Sequence, residues 1–145
     1  MKYIFVLVFS LLYGTSFSQE SMNDLKIGYV ASLRGFYQKI EVSQALLVTH
    51  IDRKGDKSDS IKLNTGKWNE ITALVNKIKL KSLPYLKAPS EKRMYDGAPH
   101  AQLKIALGDR IYESSGFDHG NPPNDIKALI DYIVDLTKNG ENKPK

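Results

Sequence analysis

Between His100 and Phe117 two strand-like runs face each other across Gly108-Asp109, and this hairpin restricts the fold more than any other stretch of the chain. A two-residue connection with glycine first suits a tight antiparallel turn. The implied register sets Lys104 opposite Glu113, a favourable cross-strand charge pair. It sends Leu103, Ile105, Leu107 and Tyr112 to the other face, toward a core. It also sets His100 opposite Phe117, at the open end of the hairpin.

The first half of the chain reads as more of the same. Lys26 to Leu33 alternates, with Ile27, Tyr29, Ala31 and Leu33 on one face. Arg34-Gly35-Phe36 forms a turn, and Tyr37 to Val42 and Ala45 to Ile51 are further strands. Arg53-Lys54-Gly55-Asp56 turns the chain into a short strand from Ser58 to Leu63. These elements form an antiparallel meander. Thr65 is the expected N-cap of a helix carrying Trp68, Ile71, Val75 and Ile78 at helical spacing, with Leu74 beside them. Trp68 shares that register and is expected as a core anchor rather than a ligand platform. Pro84 stops regular helix, and Lys87 to Pro99 is expected as a loop containing the turn pair Asp96-Gly97. Asn121-Pro122-Pro123 opens the last helix, whose stripe is Ile126, Leu129, Ile130, Ile133 and Leu136; Asn139-Gly140 is expected to end it. The order predicts an α+β fold: a mostly antiparallel sheet, built from meander and hairpin, with two helices on one face. No alternating βαβ pattern or glycine-rich first turn points to a nucleotide-binding parallel sheet.

The N-terminus sets the compartment. Lys2, the apolar run Tyr3 to Tyr13 and the small-x-small pair Ser16 and Ser18 match a cleavable secretory signal over residues 1–18. The run is too short to span a bilayer, which takes about 20 apolar residues. The expected mature product is one α+β domain over 19–140 with a disordered basic tail, 141–145. With no cysteine, no lipoprotein anchor, disulfide or thiolate chemistry is expected. The expected destination is the periplasm or the exterior. Removing Lys2 lowers the net charge from +5 to +4. Lysines gather at Lys77, Lys79 and Lys81, and again at Lys138, Lys143 and Lys145. A solvated face and a basic tail account for them; weak attraction to anionic headgroups or polysaccharide is the alternative. No nucleic-acid-binding signature is present.

One polar constellation invites chemistry. The hairpin register brings Asp96, His100, Asp118 and His119 toward its open end, near the start of the last helix. Three roles compete for them. Asp118 and His119 suit backbone hydrogen bonding and helix capping, with Asp96 holding its turn. Two imidazoles and a carboxylate also suit a zinc-like ion, with His100, Asp118 and His119 as ligands, although the spacing matches no established motif. A carboxylate-oriented histidine with Ser114, Ser115 or water as nucleophile is the hydrolytic version. Binding of an anion or sugar at the helix start is a further option. His50, inside an apolar strand, reads as partly buried and structural. Asp52, Asp56 and Asp59 lack the spacing of a calcium loop and read as a charged hairpin turn. Standard hydrolase and nucleotide signatures are missing, so no cofactor is expected.

The runs Ala88-Pro89-Ser90, Asp96-Gly97-Ala98-Pro99-His100 and Phe117-Asp118-His119-Gly120-Asn121-Pro122-Pro123 resemble a family of small exported bacterial proteins without an established activity. The likeness extends over most of the mature chain, including Arg34-Gly35-Phe36 and Trp68. It implies export and imports no reaction. The expected function is therefore a non-enzymatic envelope module that binds a protein partner or ligand. The alternative is a small metal-dependent or histidine-based hydrolase built on Asp96, His100, Asp118 and His119.

Overall fold

Period-two alternation gives the first strand, β1 (Leu25–Leu33), which buries Leu25, Ile27, Tyr29 and Ala31 and exposes Lys26. In the computed structural model, which describes residues 22–141, β1 lies at the centre of an antiparallel sheet. β2 (Phe36–Val42), β3 (Leu46–His50) and β4 (Ser58–Lys62) run outward from it as the meander. β5 (His100–Leu107) and β6 (Arg110–Glu113) lie on its other side, giving the order β4-β3-β2-β1-β5-β6. A two-residue strand, β7 (Phe117–Asp118), also pairs with β5. The two halves of the chain thus meet along β1 and β5, from Leu25 opposite Leu107 to Ser32 opposite His100.

Helices α1 (Thr65–Asn76) and α2 (Asn124–Glu141) cover one face of this sheet. Trp68, Ile71 and Val75 from α1 and Ile126, Ile130 and Ile133 from α2 share a single core with Ile27, Ile40, Leu47, Leu103 and Ile105. Each such aliphatic side chain contributes about 1.5–3 kcal/mol on burial. Among the described residues, neither α1 nor α2 packs on the other face. Ser60, Val48, Glu41, Gly28, Lys104 and Glu113 make one continuous row across it. No helix among the described residues is long and apolar enough to cross a membrane.

Several local expectations shift. Asn64, not Thr65, caps α1: its Oδ1 accepts the Lys67 N–H at 2.8 Å from an extended backbone, and Thr65 is already helical. Pro84 sits inside a 3-10 turn, Leu80–Tyr85, and the following loop contains a second, Lys92–Tyr95. α2 begins at Asn124, after both prolines, and passes through Gly140 to Glu141, so Gly140 does not stop it. Glycine near a helix end costs only about 1 kcal/mol. Residues 1–18 and 142–145, where the signal sequence and most of the tail fall, lie outside the described residues.

The largest correction is in the hairpin. Lys104 does face Glu113, with Nζ 2.8 Å from Oε1. Beyond this pair the register slips by one residue, so His100 faces Asp118 and Ala101 faces Phe117. Ser114 causes the slip. Its N–H donates to the Leu103 carbonyl at 2.8 Å, while its hydroxyl accepts the Leu103 N–H at 3.0 Å in place of a backbone carbonyl. Its own carbonyl accepts from Gln102 Nε2 at 3.0 Å. One extra residue reverses the facing of everything after it. Phe117 thereby enters the core beside Tyr29, and Asp118 moves to the side of His100.

Candidate functional site

The slip places a carboxylate where the protein interior has to satisfy it. Asp118 is 1% exposed. Its Oδ2 accepts from the Ser90 hydroxyl at 2.6 Å and from the Lys92 N–H at 2.8 Å. Its Oδ1 accepts from the Arg93 N–H at 3.0 Å and from Arg93 Nη1 at 3.1 Å. The same Nη1 also donates to the Ser90 carbonyl, and Asn121 Nδ2 donates to the Ser90 hydroxyl. Two of these donors are backbone N–H groups at the start of the Lys92–Tyr95 turn, which have no partner within it. Burial pushes the Asp118 carboxyl up. The Ser90 hydroxyl, the two N–H groups and the guanidinium more than offset this and hold it at about 2.

His119 turns toward the helix-covered side. Its Nδ1 lies 2.7 Å from Tyr29 Oη, and its ring lies against those of Tyr29 and Phe36. Burial, and secondarily the charge of Asp131, push the Tyr29 hydroxyl up. Burial, and secondarily the charge of Lys138, pull the His119 imidazole down. Both groups are therefore neutral near pH 7, and we assign the shared proton to Tyr29, which donates to Nδ1.

His100 belongs to the opposite face, in line with Gln102 and Lys104 along β5. Its exposed ring lies over Gly116, where an added Cβ would come within 2.5 Å of Cε1. Asp96 is exposed and ends the Lys92–Tyr95 turn in a left-handed conformation, φ 59°, which aspartate tolerates better than most residues. The structure thus joins Asp118 and His119 as chain neighbours, keeps His100 on the other face from His119, and uses Asp96 as a turn residue.

Between residues 97–99 and 118–121 a cavity of about 400 Å³ is lined by Ser90, Lys92, Pro99, His119 and Asn121, among others. Smaller depressions lie at Thr49 and Thr137, over Gly28 and beside His50, and a larger one of about 550 Å³ lies at Asp24 and Gly108. The serines considered as nucleophiles are committed to the backbone: Ser114 as the ladder acceptor above, and Ser115 through its hydroxyl to the Leu86 carbonyl. Among the described residues, no three His, Asp or Glu side chains come together as a metal site requires. His50 is part-buried on the face away from α1 and α2, with Nε2 3.0 Å from Glu41 Oε2. Asp52 accepts three backbone N–H groups, from Gly55, Asp56 and Lys57, as a loop brace.

Sequence reasoning did not find Ser90, Arg93 or Tyr29. A tyrosine in the middle of an apolar strand signals that its hydroxyl must find a buried partner. Nothing local in Ser90 or Arg93 announces a contact with a residue more than twenty positions later. No protein-family model matches the chain, and the search of curated proteins returned no match.

Proposed function

We propose that this chain is an exported, non-enzymatic binding module that meets its partner through the outer surface of the segment leading to Tyr95. One observation carries the reading. Met94 and Tyr95 are 72% and 71% exposed, on a turn fixed from behind by the Asp118 carboxylate. Tyr85, on the preceding turn, is 82% exposed. That turn is held by the Ser115 N–H, which donates to the Leu83 carbonyl, and by the buried Leu83 side chain. Large apolar groups displayed on a pre-ordered loop lose little entropy on association, which is the arrangement favoured at recognition sites. The N-terminal signal pattern and the family resemblance support delivery beyond the inner membrane.

Photo-crosslinking tests this. A benzophenone side chain at position 95 should trap a saturable adduct in envelope preparations, competed by unlabelled protein. The same probe at position 109, in the hairpin turn, should not. Equal labelling from both positions, or none from position 95, would refute the reading.

A further inference from the structure

The charge of this chain is concentrated on the segment just described. Residues 77–95 contain six basic side chains, Lys77, Lys79, Lys81, Lys87, Lys92 and Arg93, against the single carboxylate of Glu91. That is a net +5, whereas the chain after residue 18 totals +4, so everything else sums to −1. Arg93 is spent on Asp118. The five lysines are exposed, and none forms an ion pair among the described residues. Interleaved with them are the exposed Tyr85, Met94 and Tyr95. The backbone beneath is pinned by buried Ile78 and Leu83 and by the Asp118 carboxylate.

Unpaired lysines combined with exposed tyrosines and a methionine are the chemistry of an interfacial contact. Lysine stems lie along an apolar boundary while their ammonium groups reach anionic headgroups. Tyrosine rings settle at headgroup depth, apolar body inward and hydroxyl outward. We propose, resting on the binding reading above, that the partner of the 77–95 segment is an anionic lipid surface, which the protein contacts peripherally. A protein groove would demand shape-matched acidic partners for five separate lysines. A lipid surface supplies diffuse negative charge without that constraint, and it suits a segment whose cations lack fixed partners. Such attraction fades with salt, because the screening length is about 8 Å at physiological ionic strength.

Vesicle flotation decides it. Full-length mature protein should float with vesicles of phosphatidylcholine and phosphatidylglycerol at low salt, and stay behind with phosphatidylcholine alone. Binding should fall steeply between low and high salt. The variant Lys79→Glu/Lys81→Glu/Lys87→Glu should lose affinity by roughly fivefold or more per lysine. A control, Lys54→Glu/Lys57→Glu/Lys62→Glu, changes net charge equally on the β3–β4 side and should retain most binding. Circular dichroism checks that both variants fold. No flotation with anionic vesicles, or equal loss in the two variants, overturns the proposal. If flotation fails while the position 95 crosslink to a protein persists, the lipid partner is wrong and the binding reading stands. If both fail, the binding reading fails with it.

Discussion

Tyr29 Oη and His119 Nδ1 lie 2.7 Å apart although ninety residues separate them in the chain. Tyr29 is fully buried at the middle of β1, and His119 follows the last strand, so this hydrogen bond ties the centre of the sheet to the approach to α2. Replacing Tyr29 by Phe keeps the ring and removes the hydroxyl. The expected loss is about 1 kcal/mol, the usual net value of such a bond, read as a lower urea midpoint with unchanged slope.

The same pair sets a pH dependence. The folded state holds the His119 imidazole below its ordinary value of 6.5, so the unfolded chain binds the proton more readily. Its stabilising contribution is complete above pH 6.5 and is lost as pH falls from there through the depressed folded value. Melting temperatures at pH 7.5 and 5.5 should differ in the wild type, and the difference should shrink in His119→Gln. An unchanged difference would place the titrating group elsewhere.

Asp118 should behave as a keystone of the Ser90–Arg93 turn. Asp118→Ala strands a guanidinium whose side chain is only 10% exposed, along with a hydroxyl and two N–H groups. Breaking a buried pair in this way costs about 3–5 kcal/mol. Trypsin should then cut at Lys92 or Arg93 under conditions in which the wild type resists. Because the folded carboxyl titrates at about 2, its contribution is present above the ordinary value of 3.8 and disappears as pH drops through about 2. The stability gap between wild type and Asp118→Ala should therefore narrow only in strong acid.

Ser114→Ala removes the acceptor of the buried Leu103 N–H. Leaving such a donor unsatisfied costs about 1–3 kcal/mol. Hydrogen exchange at the Leu103 amide should accelerate more than at Ile105, which identifies the loss as local to the slip.

Gly116→Ala would drive a Cβ into the His100 ring, at 2.5 Å from Cε1 and 2.6 Å from Nε2. The expected cost is about 1 kcal/mol, since the exposed imidazole can swing aside only in part. Combined with His100→Ala, the penalty should largely vanish, a coupling that a double-mutant cycle measures directly.

The sequence by itself determined the parts of this protein that depend on near neighbours. Alternation along β1 and β5, the Gly108-Asp109 turn, the Lys104–Glu113 pair and the stripe of α2 each follow from residues a few positions apart. They were sufficient for the α+β class, the two helices on one face and the core role of Trp68. Only the tertiary structure decided the fate of Asp96, His100, Asp118 and His119. A single extra residue at Ser114–Gly116, stabilised by contacts with Gln102, Leu103 and the Leu80–Tyr85 turn, reversed the facing of the strand beyond it. Side-chain facing in a strand has period two, so that one residue separated His100 from His119 and buried Asp118 under Ser90 and Arg93. Local pattern reads the period. The phase after an interruption is set by which distant groups can satisfy the hydrogen bonds left open there.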